Sequence, residues 1–269
     1  MRLQLSLFLC LLVSPAFAAA SDWQELAPGA KARLISADEV AADGSVQVGI
    51  EIDMPPELNT YWRVPGETGI PTVFDFRQSR GVGGFEVLWP YPEIDQSTGY
   101  VDYVYRGPTV LPIELTATGD PMDLDVTVVM GICSDICVPV EARFVLPVRL
   151  DKADTGQSLR LRQALADVPI PPEADAAIGP ATLTGTGLSL PIDSPDVDLA
   201  SLIVASDDPA ILFGAPQKSP DNGGVIVPVL MGGGPSLAGQ TVEISYMTPE
   251  GPFVVHREIV PAGSTPGAS

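Results

Sequence analysis

The 269-residue chain holds 34 Asp and Glu against 14 Lys and Arg, a formal net charge of −20. That charge excludes nucleic acid and anionic lipid surfaces as natural partners, because both are polyanions. Three cysteines and a single histidine, His256, fall short of an ordinary four-ligand zinc site, and no G-x-S-x-G elbow accompanies the lone histidine, so neither zinc chemistry nor conventional hydrolysis is expected.

At the N-terminus Arg2 precedes an apolar run over 5–13, followed by small residues around Ala16, Phe17 and Ala18. This pattern predicts a cleaved signal peptide over 1–18. Pro15 ends the run well short of the roughly twenty apolar residues that a membrane span needs. Cleavage removes Cys10 and also Arg2, which takes the net charge from −20 to −21.

From 22 to 150 the chain reads as short β-type runs, at 45–52, 72–76, 85–89, 109–116, 124–132 and 138–150, bounded by Gly, Pro, Asp and Asn. In the first of them Val46, Val48 and Ile50 alternate with Gln47, Gly49 and Glu51, as a strand with one buried face requires. Runs at this spacing with no helical pattern between them predict an antiparallel β-sandwich. A helix is predicted over 157–168, where Leu159, Leu161, Leu165 and Val168 are apolar and Pro169 stops the pattern. With the proline-rich stretch 169–180 it forms a connection over 151–180. A second, smaller β-sandwich module is predicted over 181–262, from runs at 181–190, 199–205, 224–230, 241–247 and 253–260. The small polar tail 263–269 is expected to lack order.

The segment GICSDICVP at 131–139 places Cys133 and Cys137 on either side of a tight connection between two β-type runs. Three readings fit: an inert staple, thiol–disulfide exchange, in which a second sulfur must be near enough to resolve a mixed disulfide, or capture of a soft ion such as Cu(I) by two thiolates. As a staple, a loop of five residues contributes only about 2 kcal/mol. Asp135 and Glu141, if close to a thiol, would raise its pKa. Tyr61, Trp62 and Arg63 form an aromatic and cationic cluster beside a Pro-Gly turn. Either Trp62 is core with Arg63 laid over it, or the cluster is a cap or docking surface for a partner beside the cysteines. Trp89 and Pro90 are read as packing.

Taken together, TYWRVPGETGIPTVFD at 60–75, VLWP at 87–90 and GICSDICVPVEA at 131–142 resemble the periplasmic N-terminal region of the DsbD and ScsB thiol:disulfide interchange proteins, closer to the ScsB (suppressor of copper sensitivity) branch. The resemblance spans roughly 59–150 and is weaker over the second module. It implies an immunoglobulin-like sandwich in the periplasm with one redox-active pair, Cys133 and Cys137, and no organic cofactor. It also implies two partners: a membrane-embedded electron donor of the DsbD/CcdA type and periplasmic thioredoxin-fold proteins. Cys137 is the sulfur expected to bond the downstream partner and Cys133 the one that resolves it. Full-length family members continue into a membrane-spanning domain, so electrons are expected to arrive from a separate protein. The reading from a different class is a non-enzymatic adaptor or copper-handling module with a structural or Cu(I)-binding cysteine pair.

Overall fold

The computed structural model describes residues 19–119, 122–150, 153–175, 177–185, 187–219 and 224–263. The predicted signal peptide and all but the first residue of the predicted tail lie outside the described residues. The first half of the chain contributes eleven strands: β1 (Gln24–Ala27), β2 (Ala30–Val40), β3 (Ser45–Asp53), β4 (Asn59–Gly66), β5 (Val73–Asp75), β6 (Val82–Val87), β7 (Glu93–Asp95), β8 (Asp102–Arg106), β9 (Thr109–Ala117), β10 (Met122–Cys133) and β11 (Cys137–Val148). They form two sheets, β1-β2-β3-β9-β6 and β11-β10-β4-β8-β7, with β5 added alongside β10.

Each sheet is apolar on the face turned toward the other. Leu34, Val46, Val48, Ile50, Ile52, Leu111, Ile113 and Leu115 come from one side, and Leu124, Val126, Val128, Met130, Ile132, Phe144 and Leu146 from the other. The period-two alternation of a strand sends every second residue into this core. The fold is all-β and antiparallel in this half, as the spacing of the runs predicts.

Helix α1 (Thr155–Leu165) starts at an N-cap, where the Asp154 carboxylate accepts from the Gln157 backbone N–H at 2.9 Å. It lies on the outer face of the β1-β2-β3-β9-β6 sheet, with Leu161 buried against Ile35 and Ala37. Gly49 makes room for it, since a Cβ there would stand 2.9 Å from a Leu161 methyl. The Gln47/Gly49/Glu51 face of β3, polar in sequence, is therefore not open to water at Gly49. Glu51 accepts from Arg33 at 2.6 Å and pairs with Arg160 of the helix at 3.2 Å.

Beyond the helix come β12 (Ala181–Leu183), β13 (Gly187–Leu190), β14 (Ile203–Ala205), β15 (Leu212–Phe213), β16 (Gln217–Lys218), β17 (Val225–Met231), β18 (Thr241–Thr248) and β19 (Gly251–Pro261). Their order is β14-β18-β19-β12-β13-β17-β15, with β16 on β17. They wrap a second core built on Leu188, Leu190, Phe213, Val227, Ile244 and Tyr246. The run 181–190 is two strands rather than one, folded back where the Thr184 N–H donates to the Gly187 carbonyl at 2.8 Å.

Strand β14 belongs to both cores. Ile203 and Ala205 are buried in the first, while Leu202 and Val204 are buried in the second. Around this shared strand the Tyr91 hydroxyl donates to the Ser201 carbonyl. Burial pushes the Tyr91 phenol well above its ordinary pKa. In the segment 169–180, Ile170 forms a bridge with Phe253 of β19, and Ile178 is buried in the second core. No helix among the described residues is long and apolar enough to cross a membrane.

Candidate functional site

Strands β10 and β11 form one continuous hairpin in which Met122 faces Val148 and, at the far end, Cys133 faces Cys137. The two cysteines are joined in a disulfide that closes the hairpin, with their Cα atoms 4.1 Å apart. Along β10 the even residues from Met122 to Ile132 are all buried in the core. Cys133, one step on, therefore points to the outer face of the sheet.

Cys133 is nonetheless only 2% exposed, because Tyr61 and Val104 pack against it on that outer face. Cys137 is partly exposed. Of the two cysteines, Cys137 is the more exposed. The three tip residues Ser134, Asp135 and Ile136 are exposed, Ile136 at 75%, while Val138, 50% exposed, faces Ile132 across the hairpin and points to the opposite face of the sheet from Cys137. Glu141 shares the outer face but sits four residues along β11 from Cys137, roughly 13 Å at strand spacing.

Tyr61 reaches the site from β4. Asn59 of that strand pairs with Cys133 on one side and Arg106 on the other. The Tyr61 hydroxyl lies 3.0 Å from the Cys137 sulfur. In the disulfide the sulfur carries no proton, so the phenol is the donor. The ring is held in a slot between two glycines: a Cβ on Gly131 would stand 3.3 Å from it and 3.0 Å from the Ile70 Cβ, and a Cβ on Gly69 would collide with it. Burial raises the Tyr61 phenol above its ordinary pKa; hydrogen bonding to Asn59 and Thr68 works against this shift, and the Asp102 and Asp95 carboxylates add to it. The phenol is therefore protonated at neutral pH.

The loop that closes this slot is anchored to β8. The Asp102 carboxylate accepts from the Thr68 backbone N–H at 2.9 Å and from the Thr68 hydroxyl, while the Glu67 N–H donates to the Val101 carbonyl at 3.0 Å. Gly66 makes the anchoring possible. Its φ is +97°, and a Cβ there would stand 2.5 Å from the Asp102 Cα and collide with the Val101 carbonyl. Gly66→Ala is expected to cost about 1–3 kcal/mol and to loosen the loop over Tyr61. Denaturant unfolding and the rate of disulfide reduction by dithiothreitol would report it, and an unchanged reduction rate would show that the loop does not guard the sulfur.

The other two residues of the aromatic and cationic cluster sit away from the disulfide. Trp62, adjacent to Tyr61 on the same strand, points the other way into the core, edge-on to Tyr103 with ring centroids 5.8 Å apart. The Arg63 guanidinium lies 4.7 Å above the Trp62 ring and pairs with Glu243 of β18 at 2.7 Å and with Asp207 at 3.6 Å. Trp89 packs at the edge of the core, 6.1 Å from the Phe74 ring. Not singled out from the sequence were Gly69, Gly131, Thr68 and Asp102, which set the position of Tyr61. The two glycines stand inside the quoted motifs, where a glycine without a turn partner signals a close approach.

No curated protein matches the chain. A solved structure, the N-terminal periplasmic domain of ScsB from Proteus mirabilis, aligns with a TM-score of 0.74 and 22% identity, over 90% of this chain and 99% of that one. The two share a fold across both cores. A three-immunoglobulin-domain fragment of titin reaches a TM-score of 0.19 at 9% identity, over 83% of this chain and 77% of that one. The model of the family "Thiol:disulfide interchange protein DsbD, N-terminal" matches residues 31–149, the stretch that holds both facing sheets and the cysteine hairpin. Over those residues the chain is similar to the DsbD N-terminal family of thiol:disulfide interchange proteins.

Proposed function

We propose that the protein is a periplasmic dithiol–disulfide relay, taking two electrons from a membrane-embedded donor of the DsbD/CcdA type and handing them to thioredoxin-fold proteins through Cys133 and Cys137. The observation that carries this reading is the asymmetry of the pair, with Cys133 at 2% exposure and Cys137 partly exposed at the end of the hairpin. An exchange-active disulfide needs one sulfur that a partner can reach and one held back to resolve the mixed disulfide. An inert staple has no use for that difference.

The exposed Ile136 at the hairpin tip supplies apolar surface close to Cys137. Such a surface suits the apolar rim around the active site of a thioredoxin fold better than it suits bulk water. The acidic Asp135 at the tip does nothing to activate the thiol, which fits a donor that should react with its docked partner and spare other disulfides.

The test is the reduction potential of the pair, set by equilibration with glutathione buffers and thiol trapping, combined with the rate of exchange with a periplasmic thioredoxin-fold protein. The expected value lies between about −120 and −270 mV, with turnover in seconds. A potential below about −300 mV together with slow exchange would overturn the relay and return the bridge to a structural role.

A further inference from the structure

The relay reading leaves open what makes Cys137 a competent thiolate in acidic surroundings. Near the site stand Asp135 at the tip and the Asp102 and Asp95 carboxylates behind Tyr61, with Arg106 tied to Asp95 and Glu93, while Glu141 lies roughly 13 Å along β11. No lysine or arginine is paired with the cysteines among the described residues. The group aimed at the sulfur is the Tyr61 hydroxyl, at 3.0 Å.

Resting on the relay reading, we infer that Tyr61 is a catalytic residue of the exchange, its phenolic O–H donating a hydrogen bond to the Cys137 thiolate. The slot between Gly69 and Gly131 fixes the ring, and the twelve paired positions of the hairpin from Met122/Val148 to Cys133/Cys137 fix the sulfur. Opening the S–S bond therefore leaves donor and acceptor facing each other. The phenol stays protonated because burial opposes its ionisation.

In the step that passes electrons on, the Cys137 thiolate attacks one sulfur of the partner's disulfide. The partner's S–S bond breaks, a Cys137–partner bond forms, and the partner's other sulfur leaves as a thiolate that takes up a proton. Cys133, losing its proton, then attacks the Cys137 sulfur. The internal disulfide re-forms and the partner departs as a dithiol, having gained two electrons and two protons. In the loading step the donor's thiolate attacks the Cys137 sulfur, and Cys133 leaves and is protonated. The donor's second thiolate then closes the donor's own disulfide and expels Cys137 as a thiolate. Cys137 is thus the nucleophile in one half-reaction and the leaving group in the other, and the same hydrogen bond stabilises it in both.

A hydrogen bond to a charged group is worth about one pKa unit. Tyr61→Phe keeps the ring in its slot and removes only the donor. In a Cys133→Ser background, where Cys137 titrates alone, the thiol pKa read from ultraviolet thiolate absorbance is expected to rise by about one unit on Tyr61→Phe.

The attack rate on a small aromatic disulfide should then cross over with pH. Below the pKa fewer thiolates are present and the variant is slower, on the order of threefold. Above it the variant's more basic thiolate is faster by a similar factor, as a Brønsted slope of about 0.4–0.5 requires. A merely structural role for Tyr61 would shift both limbs the same way. Superimposable pKa values and parallel rate profiles would overturn the inference while leaving the relay standing. A shifted pKa in a wild-type protein that exchanges with no thioredoxin-fold protein would uphold the hydrogen bond and overturn the relay.

Discussion

Cys137→Ser is expected to abolish disulfide exchange with thioredoxin-fold proteins, and Cys133→Ser to stop the reaction one step later with the partner covalently attached. The difference follows from burial. With Cys137 replaced, the remaining thiol is at 2% exposure beneath Tyr61 and Val104, where no partner sulfur can approach in line. With Cys133 replaced, the reachable sulfur survives and attacks, but nothing resolves the mixed disulfide. Non-reducing electrophoresis after mixing with an oxidised partner should show a shifted band for Cys133→Ser and none for Cys137→Ser. The opposite pattern would reverse the roles of the two sulfurs. Both variants should fold, because a five-residue loop contributes only about 2 kcal/mol of the native stability.

Ile203→Ala should lower stability by about 2–5 kcal/mol, and the loss should be felt in both halves of the molecule at once. Ile203 lies in the core between the first two sheets, although its strand is part of the third. Its neighbours Leu202 and Val204 face the other core, so β14 cannot leave one without disturbing the other. The Tyr91–Ser201 hydrogen bond and the Arg63–Glu243 ion pair cross at the same place. Calorimetry of the wild-type protein should give one transition, with Ile203→Ala moving it as a whole. Two transitions, only one of them displaced by the substitution, would show that the cores melt independently.

Strands β3, β9, β10 and β11 could be read from the sequence because each has one apolar face, and alternation shows where one face is buried. Strands β2, β4 and β8 escaped for the opposite reason. Residues 34–38 of β2 are buried on both faces, one against the core and the other beneath or beside helix α1. In β4, Asn59, Thr60, Tyr61 and Trp62 are all buried, and Pro65 and Gly66 at its end read as a turn. Asp102, Tyr103, Val104 and Tyr105 of β8 repeat the pattern.

The same contrast holds at the site. The cysteine pair could be found because spacing and flanking runs are local, and Tyr61 because it stands in a motif. The divergence of Tyr61, Trp62 and Arg63 into three environments could not, because it depends on β4 being a strand. The partner of Arg63, Glu243, is distant in the chain and marked by nothing in its own neighbourhood.

The hairpin that carries the cysteines also forms the border of its sheet, since among the described residues β11 has β10 on one side and no strand on the other. Such a border invites strand addition by another chain. Pro139 and Pro147 both lie on β11, an even number of residues apart, so both withhold an N–H from the same side. Proline is tolerated in a sheet where its nitrogen faces away from the neighbouring strand, which here is outward. The outward ladder is therefore interrupted beside the cysteines at Pro139 and again at Pro147, leaving a partner only the N–H groups of Glu141, Arg143 and Val145 between them. On the relay reading, what would hold the encounter together is a small apolar contact at the tip and, for a moment, one sulfur–sulfur bond. Once that bond is resolved, on the same reading, little remains to delay departure, as suits a carrier that would visit two different proteins in alternation.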